Sequence, residues 1–490
     1  MARVNLGASS VLFAISVVNS KLMDALPLEI LERQHAEYTA SRETWERYRD
    51  FYSGGEQFRA NAERYLVKRQ KEPAEVYYER ISRVFYENYV GSIIDWYAAT
   101  LFRTEPQILF AGHPRGFYEG LLEDCDQAGT DFVDFFRDAF IDALIYRESY
   151  ILVDFPRIAA PVATRAEEDA LGKSRAYLVR YTPLDLVNWR TDAAGNFEWA
   201  LVKTTERYQE SLEAAGETWR DNWTYFDREE YRVYSLDRDG DKPVRAGTMV
   251  PLAAAGRHAL AAQERVPLIT LRVSDGLWLA NKATLLQQEH FNKSNALSWA
   301  LHMGLFAMPV VYSEREWHQI VGESYYIQLG PEDRFGWTEP EGRVYRIAQD
   351  NLERLKDEVY RVCYLMVQAG GREARNLGQS GISKERDYAI TQEVLRAYGD
   401  LVKSAMKETL RAIIEARADQ VAVDVKGLDR FDIRDLSIEL ADAERLRQIV
   451  THSPTFTREL ETRLALRFLD DSEQALKRRI AEEIASSSDK

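Results

Sequence analysis

Apolar and polar positions along this chain fall into blocks with two different periods. In the first third the apolar residues recur every three or four positions, which predicts amphipathic helices. Leu26 to Tyr52 carries Ile30, Leu31, Tyr38, Trp45, Tyr48 and Phe51 and stops at Gly54-Gly55. Pro73 to Leu101 carries Ile81, Val84, Phe85, Tyr89, Ile93, Trp96 and Tyr97. It ends near Arg103, because Pro106 disfavours helix in the residue before it. A third helix is expected over Asp131 to Tyr146, with Phe132, Phe135, Phe136, Phe140, Ala143 and Leu144 as its stripe, followed by a strand over Tyr150 to Asp154 that Pro156 stops.

From Ala176 to Arg272 the period drops to two, the spacing of strands. Strands are predicted over Tyr177–Tyr181, Glu198–Lys203, Asn222–Phe226, Tyr231–Tyr234 and Pro267–Leu271. Turn chemistry at Asp192-Ala193-Ala194-Gly195-Asn196 and Asp237-Arg238-Asp239-Gly240-Asp241 separates several of them. The helical period then returns from Gly276 to about Met303 and breaks at Pro309. A strand-and-turn module follows, with Val310-Val311-Tyr312, Tyr325–Leu329 and Val344–Ile347 as its strands. Helix resumes at Asn351 with Leu352, Leu355, Val359, Val362 and Met366 on one face. Gly370 to Gly381 places four glycines in twelve residues, too many for a regular element. A long helix from about Lys384 to Ala418 bears Tyr388, Thr391, Leu395, Tyr398, Val402, Ala405 and Thr409, and a strand-like stretch from Val421 to Ile433 leads to a helical tail. Helical and sheet blocks are segregated, so the expected class is α+β, mainly helical.

Composition narrows the function. At 490 residues the chain exceeds one hydrophobic core. With 64 Lys plus Arg against 79 Asp plus Glu, the net charge is -15, which argues against the broad positive surface of a duplex-DNA clamp. Cys125 and Cys363 are the only cysteines and stand far apart, so the chain reads as intracellular with no disulfide framework. The apolar run Val11 to Val18 after Arg3 reads either as a weak signal peptide or as an arm that packs on a neighbour. It is shorter than the roughly 20 residues of a membrane span, and no membrane association is expected.

No recognised chemistry emerges. Gly172-Lys173-Ser174 lacks the phosphate-loop glycine five residues earlier, where Glu167 stands. The seven histidines include no HExxH pair, and Gly378-Gln379-Ser380-Gly381 is not a nucleophile elbow. Asp237 to Asp241 places its glycine at position four, not the sixth of a calcium loop. No metal, cofactor or catalytic set is therefore predicted. A carboxylate pair in an acidic, aromatic cleft leaves an intracellular carbohydrate-active enzyme open, and a helical scaffold or adaptor is a third class.

Three stretches carry a more specific resemblance. Tyr77-Tyr78-Glu79-Arg80-Ile81-Ser82-Arg83-Val84-Phe85-Tyr86-Glu87-Asn88, continued by Leu101-Phe102-Arg103-Thr104-Glu105-Pro106, is similar to the N-terminal helix of tailed-bacteriophage portal proteins. Ala143-Leu144-Ile145-Tyr146-Arg147-Glu148-Ser149-Tyr150-Ile151-Leu152-Val153-Asp154 resembles their helix-to-strand step, with Arg147 where glycine is frequent. Tyr181-Thr182-Pro183-Leu184-Asp185-Leu186-Val187-Asn188-Trp189 with Trp199-Ala200-Leu201 resembles the sheet that follows. Each motif is loose; their order, over roughly residues 27 to 480, carries the resemblance.

What the resemblance implies is a ring-forming portal fold with no enzymatic activity and no cofactor. Mapped by blocks, residues 1–26 form an N-terminal arm, 27–275 a wing, 276–303 a first stem helix, 304–350 a clip and 351–369 a second stem helix. Residues 370–384 form a tunnel loop, 385–433 a wing-to-crown helix with its connection, and 434–490 a helical crown and tail. The implied assembly is a homo-oligomer, usually a dodecamer, at one capsid vertex of the virion, built in the host cytoplasm. Its implied partners are double-stranded DNA passing through the channel, the terminase motor, a head-tail adaptor and a major capsid or scaffold protein. In the tunnel loop Arg372, Arg375, Asn376, Gln379, Ser380 and Lys384 offer donors for transient phosphate contact, or belong to a plain exposed connection. Lys282 and Lys293, eleven residues apart on nearly one helical face, line the channel or make interhelical or intersubunit ion pairs. Trp317, Tyr325, Tyr326 and Trp337 are docking anchors or the core of a small sheet.

Overall fold

Asp131 opens a helix that the residues around it dictate. Its carboxylate accepts a 2.7 Å hydrogen bond from the Val133 N–H, pairing one of the donors that a helix start leaves without a partner. Ten side chains of the helix Phe132–Tyr146 are buried. Arg147 then turns the chain in the left-handed region at φ 81°, and the strand Glu148–Asp154 runs on, buried at every residue.

The computed structural model describes residues 25–112, 115–156, 176–209, 217–240, 247–258, 260–304, 308–312, 334–338, 342–365 and 381–429, plus short runs between and after them. In chain order the described elements are β1 (Ala25–Pro27), α1 (Leu28–Leu31), α2 (Ala36–Ser53), α3 (Gly55–Ala60), α4 (Ala74–Ser82), α5 (Tyr89–Leu101), β2 (Gln107–Gly112), α6 (Arg115–Glu123) and α7 (Phe132–Tyr146). The sheet region follows as β3 (Glu148–Asp154), β4 (Tyr177–Tyr181), β5 (Leu186–Thr191), β6 (Phe197–Tyr208), β7 (Thr218–Phe226), β8 (Glu230–Asp239), β9 (Met249–Arg257) and β10 (Leu268–Arg272). Then come α8 (Leu279–Gly304), β11 (Met308–Tyr312), β12 (Arg334–Thr338), α9 (Gly342–Val362), α10 (Gly381–Arg417) and β13 (Val421–Lys426). Helices and a mostly antiparallel sheet region in separate blocks make this an α+β chain.

The chain divides into two units that interleave in sequence. Unit one comprises Met1–Arg47, Ile94–Trp278 and Ala389–Lys490, and unit two comprises Tyr48–Ile93 and Leu279–Tyr388. In unit one, β1, β9, β8, β7, β6 and β5 form a six-stranded sheet in that order, and β10, β3 and β4 form a three-stranded one. Tyr150, Leu152 and Leu268 from the smaller sheet share one core with Ala200, Val202, Phe226, Tyr231 and Val233 from the larger. The turn predicted at Asp192 forms, its carboxylate accepting from the Ala194 and Asn196 N–H groups at 2.9 Å each. Farther along the hairpins Trp219 is held between Arg207, 3.9 Å from its ring centre, and Arg238, 4.8 Å away. The long helix α10 buries Thr391, Leu395, Tyr398, Val402, Ala405 and Thr409 of the predicted stripe, and beside them Met406, Leu410 and Ile413. After it β13 pairs antiparallel with β2 from Val421 opposite Gly112 to Lys426 opposite Gln107.

Unit two is built around Phe51, Phe58, Tyr65, Tyr77 and Phe291. Beneath these rings Asp50 is fully buried, and it accepts hydrogen bonds from Tyr65 Oη at 2.6 Å, Gln57 Nε2 at 3.0 Å and Arg49 Nη2 at 3.3 Å. Such partners are what a buried carboxylate requires. Burial and then this hydrogen bond push the Tyr65 phenol well above its ordinary range.

Several expectations are corrected. The first helix divides after Leu31, where His35 leaves the helix to give its N–H to Val187 O at 3.0 Å and to stack on Trp189 at 4.0 Å. The helix expected from Pro73 to Leu101 is two, α4 and α5, because Gln287 and Asn295 of α8 take backbone groups of Phe85, Glu87 and Tyr89. Val344 to Ile347 is not a strand: the helix α9 starts at Gly342, and the apolar positions Val344, Ile347, Ala348, Leu352 and Leu355 continue its face. Strand β8 runs through Asp237 and Arg238 to Asp239, so the turn begins later, at Gly240 with φ 60°. Lys384 lies within helix α10, which begins at Gly381, and not in a loop. Strands β1, β2, β5, β9 and β12 were not expected as separate strands; β9 is rich in Ala and Gly, which weakens its alternation.

Candidate functional site

The element that organises unit two is α8, and its polar residues explain why. Gln287 is fully buried; its Nε2 donates to Glu87 O at 2.9 Å and its Oε1 accepts from Tyr89 N–H at 3.2 Å. One turn or so further, Asn292 donates to Tyr65 O at 3.0 Å and accepts from Val67 N–H at 2.8 Å. Asn295 donates to Phe85 O at 2.9 Å and accepts from Phe85 N–H at 3.2 Å. Three amide side chains thus satisfy the backbone of two extended segments, as buried peptide groups demand. This holds residues 84–88 out of helix and separates α4 from α5. The sequence signal was the density of Gln and Asn at helical spacing, which the apolar reading of α8 passed over.

Helices α8 and α9 run antiparallel. Tyr345 Oη donates to Ala300 O at 3.3 Å, Lys293 Nζ to Asn351 Oδ1 at 3.0 Å, and Lys282 Nζ to Tyr364 Oη at 3.0 Å. At about 1.5 Å per residue the 26 residues of α8 and 21 of α9 span roughly 39 and 32 Å. Between them in sequence lies the antiparallel pair β11–β12, with Val310 opposite Gly336 and Pro309 opposite Trp337. Leu355, Val359 and Cys363 are buried. Val344 and Ile347 near the start of α9 are 66% and 59% exposed, and Leu285 on α8 is 62% exposed. These three large apolar side chains stand largely uncovered among the described residues.

Lys282 and Lys293 do share a face, as their spacing required. Lys282 also stands 4.7 Å from the centre of the Tyr364 ring, and Lys293 pairs with Glu289 at 2.9 Å. Both lysines therefore have intrachain partners. Trp337 lies in β12. Trp317, Tyr325 and Tyr326 lie outside the described residues, as do Arg372, Arg375, Asn376, Gln379 and Ser380. Most of the arm 1–26 and of the tail 434–490 lie outside them too.

The Arg147 turn gives the helix-to-strand resemblance a physical basis. The backbone there is left-handed, the region that glycine enters without strain. Here the arginine accepts that conformation: its N–H donates to Ala143 O at 2.9 Å, its carbonyl accepts from Val273 N–H at 3.0 Å, and its guanidinium reaches Asp275 at 3.0 Å.

Both cysteines are buried, and neither is in a disulfide. Burial pushes the Cys363 thiol up to about 12 and that of Cys125 higher still, so neither offers a thiolate nucleophile. Among the described residues no group of three or more His, Cys, Asp or Glu side chains is placed to hold a metal. No described helix is long and apolar enough to cross a membrane.

No protein-family model and no curated protein sequence matches the chain. Among solved structures it is similar to a chain in the neck of an empty gene transfer agent (GTA) particle computed with C6 symmetry, at TM-score 0.42 and 12% identity, covering 75% of this chain and 86% of that one. It is also similar to a chain in the virion of a native GTA particle, at TM-score 0.38 and 10% identity, covering 74% and 85%.

Proposed function

We propose that this chain is a portal-type subunit whose copies assemble into a ring around a channel for double-stranded DNA. One observation carries the reading: two long antiparallel helices, α8 and α9, are linked through a small two-stranded sheet and leave Leu285, Val344 and Ile347 exposed. That is the stem-and-clip arrangement expected of such a subunit. Burying each such side chain against a neighbouring copy contributes about 1.5–3 kcal/mol. In this reading α8 and α9 are the stem, 305–341 the clip, and the expected tunnel loop, shortened to 370–380 by the start of α10, is where Arg372, Arg375, Asn376, Gln379 and Ser380 touch passing phosphates without gripping them.

The remaining assignments belong to the same proposal. The ring sits at a capsid vertex of the virion, has no catalytic activity, and docks a terminase motor during packaging and a head-tail adaptor afterwards. Trp317, Tyr325, Tyr326 and Trp337 in the clip are the docking candidates, and a dodecamer is the expected stoichiometry. Light scattering and negative-stain microscopy of the purified full chain test it. Rings with a central opening are expected, and a monomer or dimer under every assembly condition would sink the proposal.

A further inference from the structure

Unit two contains a half-open cavity of about 100 Å³, lined by Arg80, Arg83, Asn295, Ser298, Trp299 and His302 among others. Its walls are unusual in what they leave unused. The Arg80 side chain is only 4% exposed, and its Nη1 lies 2.7 Å from both carboxylate oxygens of Glu72. Its Nε–H is buried with no acceptor, a loss that a native fold seldom tolerates without cause.

Arg83 Nη1 stands 2.8 Å from His302 Nε2. A guanidinium can only donate, so that nitrogen is the acceptor and the ring hydrogen sits on Nδ1, a second donor. Ser298 adds a hydroxyl. Asn295 adds nothing new, because its amide is spent on the backbone of Phe85 and Phe291; it fixes the wall.

The counter-charges are placed behind the donors. Glu72 holds Arg80, and Glu79 holds Arg83 through Nη2 at 2.9 Å; neither carboxylate lines the cavity. The carboxylates orient the guanidiniums and leave the cavity rich in donors. A cation is repelled there and an apolar group would strand the N–H groups further. The volume suits one small oxyanion and falls well short of the roughly 300 Å³ or more of a typical organic ligand pocket.

We infer that this cavity is a binding site for a single phosphate group, held by Arg83, His302 and Ser298, with the buried Arg80 guanidinium supplying fixed positive charge in its wall. The site does not depend on the channel reading. The phosphate has two possible sources, inorganic phosphate and the backbone of a nucleic acid, and both present the same tetrahedral oxyanion.

Titration calorimetry of the full chain with sodium phosphate, against sodium chloride at matched ionic strength, tests the site. One saturable site is expected, weakened about tenfold or more by Arg83→Ala and by His302→Ala, each of which removes a charge-assisted or ring N–H donor. Both side chains are well exposed or at the surface, so these variants keep the fold even where Arg80→Ala, which strands Glu72, does not. A short DNA duplex that competes with phosphate assigns the source to nucleic acid; phosphate binding without competition assigns it to the free ion. Absence of a saturable phosphate heat, or unchanged affinity in both variants, overturns the inference.

Discussion

A β-carbon on Gly399 would stand 1.8 Å from the carbonyl oxygen of Leu428. Helix α10 therefore carries a glycine where the chain beyond β13 crosses it at backbone distance. Alanine would favour the helix by about 1 kcal/mol on propensity alone. The clash is with backbone, and overpacking costs about 1–3 kcal/mol or more. Gly399→Ala is expected to lower the melting temperature of the chain; a rise, as propensity alone demands, would contradict the close approach.

Arg147 offers a graded test of backbone strain. Replacing it with glycine relieves a left-handed residue, worth about 1–2 kcal/mol. It also adds unfolded-state freedom and removes the exposed pair to Asp275, worth about 0–1 kcal/mol. The net change is expected within about 1 kcal/mol of zero. Arg147→Val puts a β-branched side chain in the same conformation and is expected to cost clearly more. Denaturant midpoints of the two variants decide it, and equal midpoints would mean the turn is not strained.

The amide staples of α8 predict a local effect. Gln287→Ala strands the Tyr89 N–H and the Glu87 carbonyl, at about 1–3 kcal/mol for a buried unpaired group. Hydrogen exchange should accelerate at Tyr89 and across residues 84–88 before it does in the strands of unit one. Protection at Tyr89 equal to the parent's would show that these bonds do not hold the segment.

Asp142 sets a pH dependence. Burial pushes its carboxyl up to about 7 despite Arg180 Nη1 at 2.9 Å, with Asp185 and Asp138 adding to the rise. An unfolded aspartate titrates near 3.9, so between about pH 4 and 7 the folded state binds the extra proton. Stability from this group is thus present at low pH and lost as pH rises through about 7. Urea midpoints at pH 5 and pH 7.5 should differ less in Asp142→Asn than in the parent; an unchanged difference would place the titration elsewhere.

The assembly reading predicts a separation of effects. Val344→Asp with Ile347→Asp should abolish rings while leaving subunit melting nearly unchanged, since surface substitutions away from special features usually stay within about 0.5 kcal/mol. Rings that persist in the double variant would remove these side chains from any subunit interface.

What could be read from the residues alone was whatever local physics decides. Helix α7 has its cap at Asp131, a continuous Phe stripe and a defined exit, and it forms where expected. Long-range partners decided the rest. Residues 84–88 have helical periodicity, but Asn295 and Gln287, some two hundred positions away, take their backbone groups. Val344 to Ile347 resembles a strand in a four-residue window and a helix only once Leu352 and Leu355 are counted. His302 passed as an ordinary polar position on a helix, because nothing in one dimension brings it to Arg83.

The interleaving of the two units governs the order in which the chain can fold as it is made. Phe51, Phe58 and Tyr65 need Phe291 to close their core, and the ribosome reaches that residue 226 positions after Tyr65. At about 5–20 residues per second, those aromatic rings wait on the order of ten seconds or more without their partner. Synthesis therefore passes through an interval in which a large apolar surface is bare, and in that interval the nascent chain depends on chaperone cover.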